Sequence, residues 1–250
     1  MEDSLPVSGV NNVISSSASM SSPLSYAILC DGSFPENEVV LEKLLSCDVV
    51  VCCDGAVANF IRYRKPEYVA GDMDSISQEH KELLADRLYQ ETEQQTNDLS
   101  KAFRLVCRLI DIENKSKEDI PPFSIIIFGA TGKREDHTLG NISHLAEYDA
   151  YLCAKGFRHS ISMMTDYGTF YPISQSSQFL LPVGQQLSIF SMDPAIRIVS
   201  RGLEYPTDDV VFDMWWKATL NRVSESNVSL ELTPKGEVLL YVPSYFDNIF

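Results

Sequence analysis

Short runs of Val, Ile, Cys and Phe, separated by longer amphipathic stretches, constrain the fold of this chain more than any other feature. The runs at 48–53 and 123–128 are apolar over nearly their whole length, which is typical of strands buried on both faces. Shorter apolar runs predict strands at 26–30 and 68–70. Amphipathic segments predict helices at 36–46, 55–63, 77–85, 97–107 and 136–153. The alternation predicts an α/β fold with a mainly parallel open sheet and flanking helices, of Rossmann-like type.

The second half of the chain has a different texture, because helical patterns fade after residue 178. Short strands are predicted at 178–181, 186–190, 195–199, 228–232 and 237–242. Turn residues separate them, as at Asp193-Pro194 and 234–236. This pattern predicts a small antiparallel β-sandwich domain, with the boundary near residues 171–178.

Three segments are therefore expected. Residues 1–22 are rich in Ser and are predicted to be a disordered leader on composition. Residues 23–174 form the α/β domain, and residues 175–250 form the β domain.

The acidic composition of the chain excludes several classes of partner. Asp and Glu total 35 against 20 Lys and Arg, so the formal net charge is −15. Such a balance argues against nucleic acid and against anionic membranes, since both require a cationic face. It does not argue against a phosphorylated small molecule, because bound cations reverse the local sign of charge.

The location of the protein is expected to be cytoplasmic. No apolar run approaches the ~20 residues of a membrane-spanning helix, and the first 25 residues lack the basic start of a secretory signal. The six cysteines show no metal-binding spacing. We therefore expect reduced, buried thiols.

Aspartates follow two neighbouring strands of the predicted sheet. Asp54-Gly55 comes directly after the run at 48–53, and Gly71-Asp72-Met73-Asp74-Ser75 comes directly after 68–70. Ligands of open α/β sheets bind at the carboxyl ends of the strands, and Mg²⁺ takes carboxylate and phosphate oxygens. The alternative is that Asp and Gly merely form turns. Two such turns after consecutive strands favour a shared site.

Helix caps give a second interpretation of several polar residues. Ser77 is a plausible cap of the helix at 77–85. Thr96 or Asn97 can cap the next helix, whose first turn holds Asp98. Lys101 lies on the same helical face as Asp98, so a simple surface ion pair is the alternative to a phosphate contact.

A glycine-containing loop, Gly129-Ala-Thr-Gly132-Lys-Arg-Glu-Asp-His137, follows the run at 123–128. Such a loop before a helix offers backbone N–H groups to phosphate oxygens. It lacks the Gly-Lys-Ser/Thr ending of a P-loop and is not the dinucleotide-binding pattern. Arg134 is suited to clamp a phosphate. Asp136 is a further metal ligand or a helix N-cap, and His137 is a phosphate donor or an ordinary residue of the first turn.

Taken in order and spacing, these motifs closely resemble the thiamine pyrophosphokinase family over roughly residues 26–242. The segments that carry the resemblance are Asp54-Gly55, Gly71–Ser75, Thr96–Ala102, Gly129–His137 and Arg201-Gly-Leu-Glu-Tyr-Pro206. The resemblance implies an enzyme that transfers pyrophosphate from ATP to the hydroxyl of thiamine. In that reaction the hydroxyl attacks the β-phosphorus, and AMP leaves.

The resemblance also implies roles for individual residues. Mg²⁺ and the triphosphate of ATP would be surrounded by Asp54, Asp72, Asp74 and Asp98, with Asp136 in a joining or supporting role. The catalytic set would be Asp72, Asp74, Asp98 and Arg134. Contacts to the nucleotide would further involve Gly55, Thr96, Lys101, Gly129, Gly132 and His137. Either Asp72 or Asp98 would orient or deprotonate the hydroxyl.

For thiamine, the resemblance implies a cleft between the two lobes of a homodimer, lined by both subunits. The thiazolium ring is a cation that suits aromatic faces, and Tyr205, Trp215 and Trp216 are candidates to stack on it. Adjacent residues of a strand face opposite sides, so one Trp is instead expected in the core. The nearest match to the family's Gly-x-Ser-Asn element is Ala218-Thr-Leu-Asn221, in which Leu220 stands at the Ser position, and Glu225-Ser-Asn227 is a second candidate.

Three rival functions remain open on the sequence alone, and the third of them is a structural protein with an Asp-rich surface. The first is a nucleotide-dependent phosphotransferase that acts on another small alcohol, with the same carboxylates and a different second lobe. The second is a binding module that senses thiamine or a nucleotide without turnover.

Overall fold

The computed structural model describes residues 23–114 and 120–244, which divide into two compact units. The first runs from Pro23 to Phe170, and the second starts at Tyr171. The predicted leader, 1–22, lies outside the described residues.

The first unit alternates strands and helices, as the apolar runs predict. Its elements are β1 (Leu24–Leu29), α1 (Glu38–Leu45), β2 (Val49–Cys53), a 3₁₀ turn (Asp54–Ala56), α2 (Val57–Phe60), β3 (Tyr68–Gly71), α3 (Gln78–Leu83), β4 (Leu88–Gln90), α4 (Asp98–Glu113), β5 (Phe123–Phe128), α5 (Glu135–Ala154), β6 (His159–Thr165) and β7 (Gly168–Ile173), the last of which crosses the division between the units.

Six parallel strands form the sheet of this unit, in the order β6-β5-β1-β2-β3-β4, and β7 runs antiparallel to β6. The prediction of a mainly parallel sheet is confirmed. Strands β2, β3 and β4 extend the sheet on one side of β1, whereas β5 lies on its other side. The chain continues from β1 to β2 on one side and from β5 to β6 on the other, so the direction of the strand order reverses between β1 and β5. Such a switch point is where open α/β sheets bind ligands.

Both faces of the sheet are covered. One apolar cluster takes alternate residues of the strands, such as Ala27 and Leu29, together with Val40 and Leu44 of α1. The intervening Ile28 is also fully buried, and α4 packs against β1, β2 and β3. Burial on both faces explains why the runs are apolar throughout rather than alternating.

Some predicted elements need correction. Helix α2 spans only Val57–Phe60 and follows a 3₁₀ turn, whereas α4 runs six residues past the predicted end at 107. Strand β4 was missed because it is short and polar, and β6 because Ser and His interrupt its apolar residues. Ser77 does cap α3, since its side chain accepts a hydrogen bond from the backbone N–H of His80 at 3.2 Å.

The second unit is antiparallel β structure, as predicted. Its elements are β8 (Ser177–Leu180), β9 (Gln186–Ser191), β10 (Arg197–Arg201), a 3₁₀ helix (Trp215–Ala218), β11 (Asn221–Arg222), β12 (Asn227–Thr233) and β13 (Val238–Pro243). Strands β11, β9 and β13 pair in one sheet, and β10, β12 and β8 pair in another. Residues of both sheets, including Ile189 and Leu230, share one apolar core. The two sheets therefore form a sandwich.

The six cysteines are all reduced, and five of them are buried. Cys153 is the exception, because it is exposed near the end of α5. The expectation that all six thiols are buried is therefore wrong for Cys153. Among the described residues, every helix is too short or too polar to cross a bilayer.

Helix α1 offers a matched test of the core. Val40 is 5% exposed and packs in the apolar cluster, whereas its neighbour Val39 is 72% exposed. We expect Val40→Ala to lower the free energy of unfolding by about 2 kcal/mol, since it removes two buried methyl groups and leaves a cavity. Val39→Ala should change it by about 0.5 kcal/mol or less. Urea unfolding followed by circular dichroism measures both, and equal losses would contradict the assigned face of α1.

Candidate active site

Three aspartates gather at the carboxyl edge of the sheet. One carboxylate oxygen from each of Asp54, Asp72 and Asp74 lies within 4.8 Å of the other two. Asp54 is buried, Asp72 is half-buried and Asp74 is exposed, so the group extends from the protein interior to the solvent. Oxygen ligands at these separations suit a hard divalent cation. The predicted convergence of residues from two separate strand ends is present.

The end of β2 positions Asp54. Its carboxylate accepts hydrogen bonds from the backbone N–H of Gly55 at 2.7 Å and of Ser75 at 3.3 Å. Gly71 allows this close approach, because a Cβ atom there would lie 2.8 Å from Cγ of Asp54. Asp54, which follows β2, can therefore take up its position only because the last residue of β3 has no side chain.

A left-handed residue separates the other two aspartates. Met73 has φ +69° and is buried in the apolar core, a backbone conformation that non-glycine residues adopt at a cost. The backbone N–H of Asp74 donates to Oδ1 of Asp72 at 3.2 Å, and Ser75 Oγ donates to Oδ1 of Asp74 at 2.8 Å. The buried methionine thus anchors the turn that presents both carboxylates.

Two glutamines that the sequence reasoning missed support Asp72. Gln94 Nε2 donates to Oδ2 of Asp72 at 3.0 Å, and Gln90 Nε2 donates to its backbone carbonyl at 2.9 Å. The bond from Gln94, followed by the N–H of Asp74, lowers the pKa of Asp72. No sequence motif marks these glutamines, because their role depends on where β4 and its following loop lie.

The electrostatics of Asp54 differ from those of Asp72. Burial raises the pKa of Asp54, and the charges of Asp98 and Asp72 raise it further, against the two backbone hydrogen bonds. A carboxylate that is 2% exposed and surrounded by like charge is unfavourable to ionise. A bound cation would relieve this repulsion.

A buried cation lies beside the cluster. Lys101 is only 3% exposed at its side chain and donates to Oδ1 of Asp98 at 3.0 Å. Burial lowers the pKa of Lys101, but the hydrogen bond and charge of Asp98, with the charges of Asp72 and Glu93, outweigh it and leave the pKa raised. The predicted ion pair with Asp98 is present, but the lysine side chain is buried and does not lie on the surface. Its ammonium stays charged next to the carboxylates.

The start of α4 is held by Asn97. Its Oδ1 accepts from the N–H of Ser100 at 3.0 Å, so Asn97 and not Thr96 is the N-cap. Its Nδ2 donates to Asn141, which in turn donates to the carbonyl of Ala130 at 2.8 Å. This chain of amides connects α4 to the loop after β5.

Thr96 belongs to a separate network. Its hydroxyl bonds the carboxylate of Glu93 and accepts from Arg104 at 3.2 Å. Arg104 also bonds Glu91 and Glu93. The network holds the segment between β4 and α4, which carries Gln94.

The glycine loop after β5 packs against the loop after β1. Gly32 N–H donates to the carbonyl of Gly129 at 2.6 Å, and Ser33 N–H donates to that of Thr131 at 2.7 Å. Gly129 has φ +60° and Gly132 has φ +98°, and Cβ atoms there would overlap the carbonyl of Cys30 and the side chain of Ser33. The loop therefore lies at the switch point between β1 and β5.

Asp31 is a site residue that the sequence reasoning missed. It follows β1, accepts from Lys133 Nζ at 2.7 Å, and would lie 2.8 Å from a Cβ atom on Gly55. Its signal was available, because Asp31-Gly32 follows an apolar strand just as Asp54-Gly55 does.

Arg134 and Asp136 pair with each other at the exposed start of α5. The guanidinium Nε and Nη2 donate to the carboxylate at 3.0 and 2.5 Å, and this contact, with the N–H of His137, lowers the pKa of Asp136 to about 2. Arg134 occupies the N-cap position, so Asp136 is not the cap. Asp136 is absent from the carboxylate groups within 4.8 Å of one another that the described residues form.

The second unit carries a pocket of about 410 Å³ of its own. Tyr205, Leu220 and Asn221 are among its lining residues. Asn221 is buried, accepts from Tyr205 N–H at 3.2 Å and donates to Tyr205 carbonyl at 2.7 Å. It therefore shapes the pocket by fixing the backbone of Tyr205.

The two tryptophans need correction. Trp215 and Trp216 lie in a 3₁₀ helix and not on a strand, and they are 45% and 71% exposed. The expectation that one of them is in the core was wrong, because consecutive residues of a helix do not alternate between opposite faces. Trp215 makes an edge contact with Phe190 at 6.4 Å between ring centroids.

Fold and site together define a class of protein. Carboxylates placed for a divalent cation, a buried lysine beside them and a glycine loop at the switch point of a parallel sheet are the arrangement of an α/β phosphotransferase.

The sequence comparisons narrow the class. Residues 41–154 match the family description "Thiamin pyrophosphokinase, catalytic domain", and residues 168–241 match "Thiamin pyrophosphokinase, substrate-binding domain". The two matches cover well over half of the chain. The chain therefore belongs to the thiamin pyrophosphokinase family.

Individual relatives agree with this assignment. The chain is 36% identical over 92 residues to thiamine pyrophosphokinase 1 of Oryza sativa subsp. japonica, a match over 35% of this chain and a third, 33%, of that relative's length. Its fold resembles thiamin pyrophosphokinase of Candida albicans, with a TM-score of 0.70 at 15% identity over 88% of this chain and 90% of that one. Yeast thiamin pyrophosphokinase has a TM-score of 0.70 to this chain at 17% identity, over 92% of this chain and 89% of that one. Thiamine pyrophosphokinase of Bacillus subtilis has a TM-score of 0.65 at 18% identity, over 89% of this chain and 100% of that one.

The spacing role of Gly71 can be tested with a matched pair of substitutions. We expect Gly71→Ala to weaken Mn²⁺ binding at least about 10-fold, since displacing a metal-supporting group usually has that effect, and Cβ would collide with Asp54. Gly140 lies in α5 with open space around a Cβ. Gly140→Ala should leave binding unchanged and stabilise the fold by about 0.5–1 kcal/mol. Electron paramagnetic resonance measures free Mn²⁺, and equal affinities would contradict the proposed spacing.

Proposed function

We propose that this chain transfers a pyrophosphoryl group from ATP to the hydroxyl of thiamine, giving thiamine diphosphate and AMP with the help of Mg²⁺. The observation that carries the proposal is the group formed by Asp54, Asp72 and Asp74 beside the buried Lys101, in a chain of the thiamin pyrophosphokinase family.

The residues fit a magnesium ion. Oxygen ligands within 4.8 Å of one another are offered by Asp54, Asp72 and Asp74. The raised pKa of Asp54 shows that its negative charge is unfavourable there, and a bound cation would stabilise it. Asp98, whose charge acts on Asp54, lies close enough to support the set. When bound, Mg²⁺ would neutralise charge on the phosphate oxygens.

The chain's own residues then have separate roles. Lys101 supplies a charged ammonium to the phosphates without leaving its pair with Asp98. The loop at Gly129 and Gly132 offers close approach of backbone to phosphate. Arg134 is exposed, so it can exchange Asp136 for a phosphate oxygen.

Positioning of the attacking hydroxyl is assigned to carboxylates. Asp72 or Asp98 orients or deprotonates the thiamine hydroxyl. Gln94 and the N–H of Asp74 keep Asp72 ionised and fix its orientation. A fixed acceptor aligns the hydroxyl for in-line attack on the β-phosphorus.

Thiamine binding is assigned to the β domain, residues 175–250, and the nucleotide to the α/β domain, residues 23–174. The exposed faces of Tyr205, Trp215 and Trp216 suit the thiazolium cation. We also propose a homodimer in which both subunits line the thiamine site, as the family resemblance implies. A cytoplasmic location completes the proposal and is supported by the reduced state of the six cysteines.

The coproduct of the reaction tests the proposal. With thiamine, ATP and Mg²⁺ the chain should release AMP, and omission of thiamine should abolish that release. A phosphotransferase acting on another alcohol would instead release ADP, or AMP only with a different acceptor.

The role of the carboxylates is tested by substitution in the same assay. Asp72→Asn and Asp74→Asn should each lower turnover by about 100-fold or more, the scale of losing one electrostatic contact to a transition state. Asp86→Asn, at an exposed position of the same unit, is the matched control and should retain turnover. Full activity of both site variants would exclude the acidic group as the catalytic site.

Fluorescence tests the assignment of thiamine, because the sequence contains only two Trp. Thiamine at saturating concentration should quench their emission. Trp215→Phe and Trp216→Phe divide the signal between the two positions. Trp→Ala at the stacking position should weaken thiamine binding by about 2- to 30-fold, the equivalent of about 0.5–2 kcal/mol for a cation on an aromatic face. Unchanged emission while turnover saturates would remove both Trp from the site.

A further inference from the structure

A second group of metal-binding side chains lies at the end of α5, apart from the aspartates described above. Asp149, Cys153 and His159 each place one ligand atom within 4.8 Å of the other two. The group contains a sulfur, a nitrogen and an oxygen donor, which is a different chemistry from the all-carboxylate group. Neither the sequence motifs nor the proposed reaction makes use of it.

The ring of His159 is oriented as in a metal site. Its Nδ1 lies 3.0 Å from the carbonyl oxygen of Phe157, and since a carbonyl only accepts, Nδ1 donates. Its Nε2 lies 2.9 Å from Oδ1 of Asp149. The side chain of His159 is 5% exposed and that of Asp149 is 14% exposed. A backbone carbonyl that fixes one ring nitrogen and aims the other is the usual support of a metal-binding histidine.

Helical spacing brings the other two donors together. Asp149 and Cys153 are four residues apart on α5 and share one face. Cys153 Sγ lies 3.9 Å from Oδ2 of Asp149. Cys153 is exposed, whereas the other five cysteines are buried, so an ion from solvent reaches this thiol first.

We propose that Asp149, Cys153 and His159 bind a zinc ion, with water as a fourth ligand. Tetrahedral Zn²⁺ with bonds of about 2.0–2.3 Å needs its ligand atoms about 3.3–3.8 Å apart. The separations of 2.9 Å from Nε2 to Oδ1 and 3.9 Å from Sγ to Oδ2 involve the two different oxygens of Asp149 and lie close to that range. One ligand atom from each of the three residues already lies within 4.8 Å of the others, so small side-chain rotations complete the site. On binding, the thiol and Nε2 form bonds to zinc and any protons on them pass to solvent. Thiolate and imidazole select zinc over magnesium.

The site would connect two elements of the first unit. Asp149 and Cys153 belong to α5, and His159 is the first residue of β6. A zinc ion shared between them holds the helix end to the start of the strand. Zinc is therefore expected to raise the unfolding temperature of the chain, by binding to the folded form only.

Cobalt spectroscopy tests the proposal on the whole chain. The protein is first freed of metal, magnesium in excess is added to occupy the carboxylate group, and Co²⁺ is then titrated in. We expect one equivalent to bind with a thiolate-to-cobalt charge-transfer band in the near ultraviolet, and Zn²⁺ to displace it and remove the band. Cys153→Ser, at an exposed position, should fold normally and lose the band.

Two further variants make the test specific. His159→Gln should weaken binding at least about 10-fold, since even the loss of supporting groups around a metal has that effect. His144→Gln is the matched control, because His144 pairs with Glu147 on the same helix at 2.8 Å without a thiol, and it should bind as the parent does. Absence of the band in the parent chain, or its survival in Cys153→Ser, would overturn the proposal and leave Asp149 and His159 as an ion pair.

Discussion

Mutual repulsion among carboxylates gathered at one edge of the sheet is the interaction on which the rest of the site depends. Two unit charges a few ångströms apart repel strongly wherever water is excluded, and Asp54 is both buried and close to Asp98 and Asp72. Ordinary folding would disperse these groups. The chain instead offsets part of the repulsion with the charged ammonium of Lys101. The repulsion that remains is what a bound divalent cation would relieve.

Backbone geometry, more than side-chain packing, holds the charges in place. The absent Cβ of Gly71 lets Asp54 approach β3, and the left-handed turn at Met73 sets the directions of Asp72 and Asp74. Met73 is buried in the apolar core, and this burial offsets the cost of its left-handed backbone. Hydrogen bonds from the loop that follows β4 complete the arrangement. Carboxylates held in this way need little reorganisation when a ligand binds.

The sequence was most informative where burial on both faces forces an unbroken apolar run. Strands β2 and β5 and the aspartate turns after β2 and β3 follow from that single constraint. Gln94 and Gln90 were not predictable, since their contacts depend on β4, a three-residue strand without an apolar pattern. Asp31 carried the same signal as Asp54, but its place beside the glycine loop requires the strand order, which brings β1 and β5 together.

The pocket of the second unit was harder to predict from the sequence than the aspartate group, because it is not built on strand ends. Residues 203–222 contain little regular structure, so periodicity says nothing about which side chains point outward. What organises the pocket is Asn221, whose amide bonds both the N–H and the carbonyl of Tyr205. Leu220, at the position where the family has Ser, adopts φ +58°, leaves its side chain exposed and donates its N–H to Ser188. The contact with Ser188 uses the backbone N–H of residue 220 and not its side chain. Leu in place of Ser at this position therefore leaves the hydrogen bonds between Asn221 and Tyr205 intact, and with them the shape of the pocket.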